Sequence, residues 1–327
     1  MSREKTLSMP ISFGRVVSIM TKKADSPEAK IKAAAVELSR LRARPVLVFI
    51  DDHIHGESAR TVREAVESMQ PGAAIDIVVK SPGGHLEQSY IIVRELRRKF
   101  QKIGVFVPSE AKSAATLICL AGDELVLGEF GELGPLDTQV EEKQRGDVPA
   151  YKSCLERFKA LEQLQKYSIE TFDTIVALVL DHGGMKLIDA CNVATDFTGK
   201  VCGPLYGQIE PDSIGVSARN LEVGVYYTRR VLRRYRRAAF DEDAANELIR
   251  RLVWGYPSHD FVIDIEELRD LNVPVRKATE EESRILARIE DEAGLLSVER
   301  LIGIHEARPS SAENTDEKLA SVTEIKS

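Results

Sequence analysis

Two short segments have the residue types and spacing to do acyl chemistry. Ser81-Pro82-Gly83-Gly84 follows the expected strand 75–79 (IDIVV) and precedes a helical pattern starting near His85. Adjacent glycines let the backbone turn sharply and leave amide N–H groups facing outward, where negative charge can develop against them. On its own the pattern is also that of a plain strand-to-helix turn. The second segment is 107–116, where Ser113 enters a helix of very small residues just beyond the apolar run 103–107. Open α/β sheets bind ligands in the crevice beyond their strand ends, so a serine there can project into a site. Its hydroxyl is a weak nucleophile without a base, and the oxyanion it generates needs N–H donors. Taken alone, Ser113 also reads as an ordinary residue of a helix N-terminus.

The elements that must position these segments follow from periodicity. Residues 27–41 repeat Ala and Leu at helical spacing. Residues 45–50 (PVLVFI) are a continuous apolar run, the pattern of a strand buried on both faces. Helix 58–69, strand 75–79, helix 85–100, strand 103–107, helix 111–121 and strand 124–127 follow. Four strands alternating with three helices predict right-handed β-α-β units on a parallel sheet. Beyond Gly134-Pro135 the texture changes to long helices over 150–182 and 213–252, broken at Gly183-Gly184 and Gly203-Pro204. A short helix at 265–271, a strand beginning at Val273 and a helix at 280–292 return toward the core. The expected organisation is an N-terminal segment (1–30), an α/β core (31–140), a helical insertion (141–252), a return to the core (253–305) and a disordered tail (306–327).

Composition narrows the classes. The chain has 327 residues, 43% hydrophobic and 30% charged, which suits a globular protein rather than a disordered one. Its net charge of −7 leaves nucleic acid only a local patch to bind. No apolar stretch reaches the ~18 residues of a membrane span. No signal peptide is visible at the start, and four scattered cysteines suggest a reducing cytoplasm rather than a disulfide scaffold.

Together the two segments resemble the Clp-protease and crotonase superfamily, in which these two turns face each other. More closely, the chain is similar to the serine dehydrogenase proteinase family, related to signal peptide peptidase A. The matching stretches are Pro82-Gly83-Gly84, Val107-Pro108, the run 111–118, 120–124 (LAGDE), 133–139 (LGPLDTQ), 258–263 (SHDFVI), Glu266-Glu267-Leu268 and 271–275 (LNVPV). These ordered blocks extend from Pro82 to Val275. The resemblance implies a Clp/crotonase-like spiral core with a helical insertion, and a serine peptidase that needs no cofactor or metal. It implies Ser113 as nucleophile, with an oxyanion hole from the Gly83 or Gly84 amide and that of Ala114. Asp260 falls at the position of the acidic triad member. Such folds assemble into rings or stacks, so a homo-oligomer is expected.

The resemblance departs at three places. Ala114-Ala115 stands where the family has Gly-Gly, which would restrict the backbone beside the nucleophile, and Lys112 stands where it has an apolar residue. The histidine that follows the serine helix in the Clp subunit is missing from 131–137. Two substitutes for the base remain. His259 has the right chemistry, with an ordinary pKa near ~6.5, but on an extended segment it and Asp260 would point opposite ways. Lys152, at the expected start of a helix, is similar to the base of the Ser-Lys dyads in membrane-associated relatives. It would need desolvation by Tyr151, Leu155 and Phe158 to fall from ~10.4 toward ~7–8. Lys112 is too near Ser113 in sequence to swing over its neighbour.

Two further readings stay open. A crotonase-type enzyme would use the same turns to hold a thioester oxygen, bind coenzyme A and dispense with Ser113. A non-catalytic oligomeric scaffold would engage nucleic acid or protein through Arg229, Arg230, Arg233, Arg234, Arg236 and Arg237, although acidic residues 241–243 just downstream suggest a paired or solvated face. His53 and His55 share a face but lack a third ligand at metal spacing.

Overall fold

The computed structural model describes residues 26–137, 139–143, 149–297 and 299–306. Most of the N-terminal segment, and the tail from Ala307 that composition reads as disordered, lie outside the described residues. The chain divides into two compact units. One holds the described residues of Met1–Gly134, Arg234–Ala239 and Val262–Ser327; the other holds those of Pro135–Arg233 and Phe240–Phe261.

The first unit is a six-stranded sheet with helices. Its elements are α1 (Pro27–Arg42), β1 (Val46–Asp51), α2 (Gly56–Glu67), β2 (Gly72–Lys80), α3 (Leu86–Lys99), β3 (Phe100–Val107), β4 (Glu110–Ala111), α4 (Ala114–Leu120), β5 (Glu124–Leu127) and β6 (Glu132–Leu133). Later in the chain come α9 (Ile265–Asp270), β9 (Val275–Lys277), α10 (Glu280–Ala293) and β10 (Arg300–His305). The strand order is β10-β1-β2-β3-β5-β9, parallel throughout except for β10, which runs antiparallel to β1. The mixed α/β class with a mostly parallel sheet is therefore the one read from the sequence.

Every residue of β1 is buried, as its unbroken apolar run requires. Val46, Val48 and Ile50 join Ile31 and Leu38 of α1 and Ile285 and Ile289 of α10 in one core. Alternation turns Leu47 and Phe49 to the opposite face of the sheet. Each such side chain contributes about 1.5–3 kcal/mol on burial, which fixes the strand register. Helix α1 starts where Ser26 accepts the Ala29 amide at 3.3 Å and Pro27 occupies the first turn.

The second unit contains a hairpin of β7 (Gln139–Lys143) and β8 (Pro149–Ser153), then α5 (Cys154–Gly183), α6 (Leu187–Tyr206), α7 (Pro211–Tyr235, whose last two residues belong to the first unit) and α8 (Glu242–Arg250). A π-helical turn, Arg251–Gly255, closes it.

Four readings are corrected. The expected helix at 111–121 begins only at Ala114, because Glu110–Ala111 pairs with β6 as a strand. Lys152 is on β8 and not at the start of a helix; Ser153 caps α5 by accepting the Leu155 amide at 3.0 Å. Pro204 does not break a helix, since α6 runs through it. The expected helix 213–252 is two helices, interrupted after Tyr235.

Candidate active site

Three strand ends of the first unit open on the same side of the sheet. β1 leads to His53, β2 to the Ser81–Gly84 turn, and β3 through β4 to Ser113. Ladder bonds tie the last two together: Ser81 N donates to Glu110 O at 3.2 Å and Lys112 N to Ser81 O at 2.9 Å. A Cβ added to Gly83 would lie 2.8 Å from the Ser113 Cβ and 3.2 Å from the Ala114 nitrogen, so the turn packs directly on the serine. Gly83 and Gly84 have φ of 117° and 143°, a region only glycine enters freely. The space is as demanding as the dihedral, because a Cβ on Gly84 would meet the Ile54 carbonyl oxygen at 2.4 Å.

Ser113 itself has φ 49° and ψ −119°, a strained conformation for a side-chain-bearing residue. Sequence reasoning offers no signal for this strain, which turns the serine sharply out of the strand before α4 starts. Thr116 holds the turn: its hydroxyl donates to the Ala111 and Gly134 carbonyls at 2.9 and 2.8 Å as alternative acceptors. Ser113 is buried, at 6% exposure.

The amides divide in an informative way. Gly83 N donates to the Ser81 hydroxyl at 3.1 Å, so it is already engaged. Among the described residues, neither Gly84 N nor Ala114 N donates to any backbone or side-chain acceptor. Ala114 N is the first amide of a helix, where no intrahelical acceptor exists. The restriction expected from Ala114-Ala115 does not arise, because both residues are helical, buried and free of positive φ. Lys112 forms an ion pair with Glu132, and its stem packs on Gly134. Its amine is thus engaged by a carboxylate.

The base candidates belong to the second unit. His259 lies in a turn and not on an extended segment, which removes the alternation argument that set it against Asp260. Its Nδ1 is 2.9 Å from Asp137 Oδ1. Burial lowers the pKa of His259, but the hydrogen bond and charge of Asp137, with Asp260 adding, outweigh it and raise the group overall. Asp137 is almost wholly buried, and its other oxygen accepts the Ser153 hydroxyl. Asp260, by contrast, is exposed. The carboxylate that orients His259 is therefore Asp137, a residue visible in the LGPLDTQ block but assigned no role there. Lys152 sits opposite Val140 in the β7–β8 ladder. Of the apolar residues expected around it, Leu155 is buried and Phe158 packs edge-on against Trp254 with ring centroids 5.7 Å apart.

Arg236 is buried beside Asp123 and Arg234 donates to the Tyr90 hydroxyl at 3.2 Å. Arg233 pairs with Glu242. Part of the arginine run thus serves packing. No group of side chains with metal-binding geometry exists among the described residues.

A mostly parallel α/β sheet thus brings a glycine turn against a strained serine at its strand ends. Residues 36–177 match the model of the ClpP-like SDH-type serine proteinases. Two uncharacterized proteins of Methanocaldococcus jannaschii are similar to it. One is 26% identical over 238 residues, covering 73% of this chain and 64% of the relative. The other is 23% identical over 231 residues, covering 71% and 60%. The chain thus spans somewhat under two thirds of the length of these relatives. Two alanine variants of the 1510-N membrane-bound stomatin-specific protease, one in complex with a substrate peptide, match at 18% identity and a TM-score of 0.27. They cover 44% of this chain and 66% and 62% of theirs. No helix among the described residues is long and apolar enough to cross a membrane.

Proposed function

We propose that the protein is a serine peptidase acting on peptide or protein substrates through an acyl-enzyme at Ser113. The Ser113 oxygen attacks the scissile carbonyl while its proton passes to a base. The carbonyl oxygen, now negative, is held by the Gly84 and Ala114 amides. The C–N bond then breaks, the base returns its proton to the departing amine, and water hydrolyses the ester by the reverse path. The observation that carries this reading is the Gly83 turn packed on Ser113, with two amides beside it that have no acceptor among the described residues.

Two residues compete for the base, each on its own support. His259 is oriented by Asp137 through Nδ1, which leaves Nε2 to accept a proton. Lys152 lies inside the family-matched stretch, whereas His259 lies outside it. With His259 as base, Asp137 replaces Asp260 as the orienting acid. Removing the true base should lower turnover about 100-fold or more. A His259-limited rate rises with pH through the raised imidazole pKa, and survives Lys152→Ala.

The test is a fluorophosphonate probe followed by mapping of the adduct. Labelling at Ser113 that disappears in Ser113→Ala supports the peptidase. Saturable acyl-coenzyme A binding without labelling would return the crotonase-type reading. Salt-sensitive nucleic-acid binding lost in Arg233→Glu, again without labelling, would return the scaffold. A homo-oligomer remains part of the proposal, tested by light scattering of the full chain.

A further inference from the structure

Three imidazoles meet beside the glycine turn. His53 and His55 leave the end of β1, and His85 directly follows Gly84. The rings of His53 and His85 stand edge to face with centroids 5.3 Å apart, and those of His53 and His55 are 6.2 Å apart. The backbone enforces this meeting. Ile54 N donates to Gly83 O at 2.8 Å and His85 N to Ile54 O at 2.7 Å, a parallel bridge between Ile54 and Gly84. Ile54 is fully buried, so alternation turns His53 and His55 to the other side. Gly83, against which Ser113 packs, is two residues from His85.

The local field favours a negative ligand. His55 and His85 are the N-cap residues of α2 and α3, and the His85 side chain makes no cap hydrogen bond. Two helix N-termini thus direct their positive ends at the cluster. The three rings are not equivalent. Arg300 Nη2 lies 2.9 Å from His55 Nε2, and a guanidinium can only donate, so the His55 ring is the acceptor of that bond. Arg300 is itself bound to Asp51 at 3.1 Å. Glu57 is engaged by Arg60. His85 has one carboxylate nearby, Glu87 at 3.6 Å, an exposed pair of the weak kind. Partial burial, then the neighbouring His85 and His55, lower the pKa of His53, with Asp51 opposing and Arg300 adding to the effect. Two exposed rings, His53 and His85, therefore face one another beside the glycine turn, with Glu87 the carboxylate paired to His85 among the described residues.

We propose that His53 and His85 bind a carboxylate of the substrate within one or two residues of the scissile bond. The inference rests on the peptidase reading and adds a specificity to it. The carboxylate can be the free C-terminus of a peptide or an acidic side chain, and both offer the same oxygens to two imidazolium donors. Binding draws protons onto the rings, so affinity rises as pH falls through the imidazole range.

The experiment measures binding to the full-length Ser113→Ala protein by calorimetry, which needs no turnover. Three acetylated tetrapeptides are compared: one with a free C-terminus, one amidated with a glutamate side chain, and one amidated with glutamine. At least one carboxylate peptide should bind about tenfold tighter than the uncharged one at about pH 6, with a smaller gap at about pH 8. The first two peptides distinguish the source of the carboxylate. The gap should close in His53→Gln and His85→Gln, both exposed positions. Equal or undetectable binding of all three peptides to the parent protein overturns the proposal without recourse to any histidine variant. A gap that both variants retain overturns it as well. Should fluorophosphonate labelling fail while the gap is present, the carboxylate site stands and the peptidase reading falls.

Discussion

The two units of this protein are built to different standards of order. In the sheet unit, β1 is buried along its whole length, and the Gly84 dihedral and spacing admit no side chain. In the helical unit, the 30-residue helix α5 buries only Cys154 and Leu155, and Ile169, Leu178, Ile188, Phe197 and Tyr226 are exposed. The proposed nucleophile and oxyanion donors therefore stand on an over-determined frame, which can hold a strained residue such as Ser113 in place. His259 is held by its hydrogen bond to Asp137, which also accepts the Ser153 hydroxyl.

Substitutions can break this contrast. Gly84→Ala should have the largest effect, costing about 3 kcal/mol or more because a strained φ and a backbone collision add together; a urea melt that matches the parent would contradict it. Ile77→Ala, within buried β2, should cost about 2–5 kcal/mol, read from the same melts. Ser113→Gly should abolish labelling yet raise stability by about 1 kcal/mol, since glycine accepts the serine's dihedrals without strain. Ile188→Ser, at an exposed position of α6, should change stability by less than about 0.5 kcal/mol.

Asp137 sharpens the comparison through pH. The folded pKa of His259 is raised, so the stabilisation from its pairing is fully present below the ordinary ~6.5 and is lost as pH rises through the folded value. Asp137→Asn should bring the imidazole titration, followed by NMR, down toward or below its ordinary range. An unchanged titration would mean that Asp137 does not govern it.

How much of this was legible in sequence follows the same division. A continuous apolar run gave away β1, because strands of a parallel sheet are buried on both faces, and the short, mostly apolar segments 75–79 and 103–107 gave away β2 and β3. The Ser81–Gly84 turn and Ser113 were visible from residue type and position. Strand β10 was missed: RLIGIH is short, carries Gly303 and owes its state to pairing with β1, more than two hundred residues earlier. Pro204 misled because a proline inside a helix forfeits a hydrogen bond and kinks the axis without always ending it. Asp137 was missed because its partner His259 is 122 positions away, and no local pattern encodes such a pairing. The backbone strain at Ser113 leaves no trace in composition or periodicity.

Trapping the acyl intermediate addresses the nucleophile most directly. Mixed with an activated ester and quenched early, the protein should gain one acyl group, carried by the fragment containing Ser113. An acyl group on any other residue, or hydrolysis that persists unchanged in Ser113→Ala, would contradict the account.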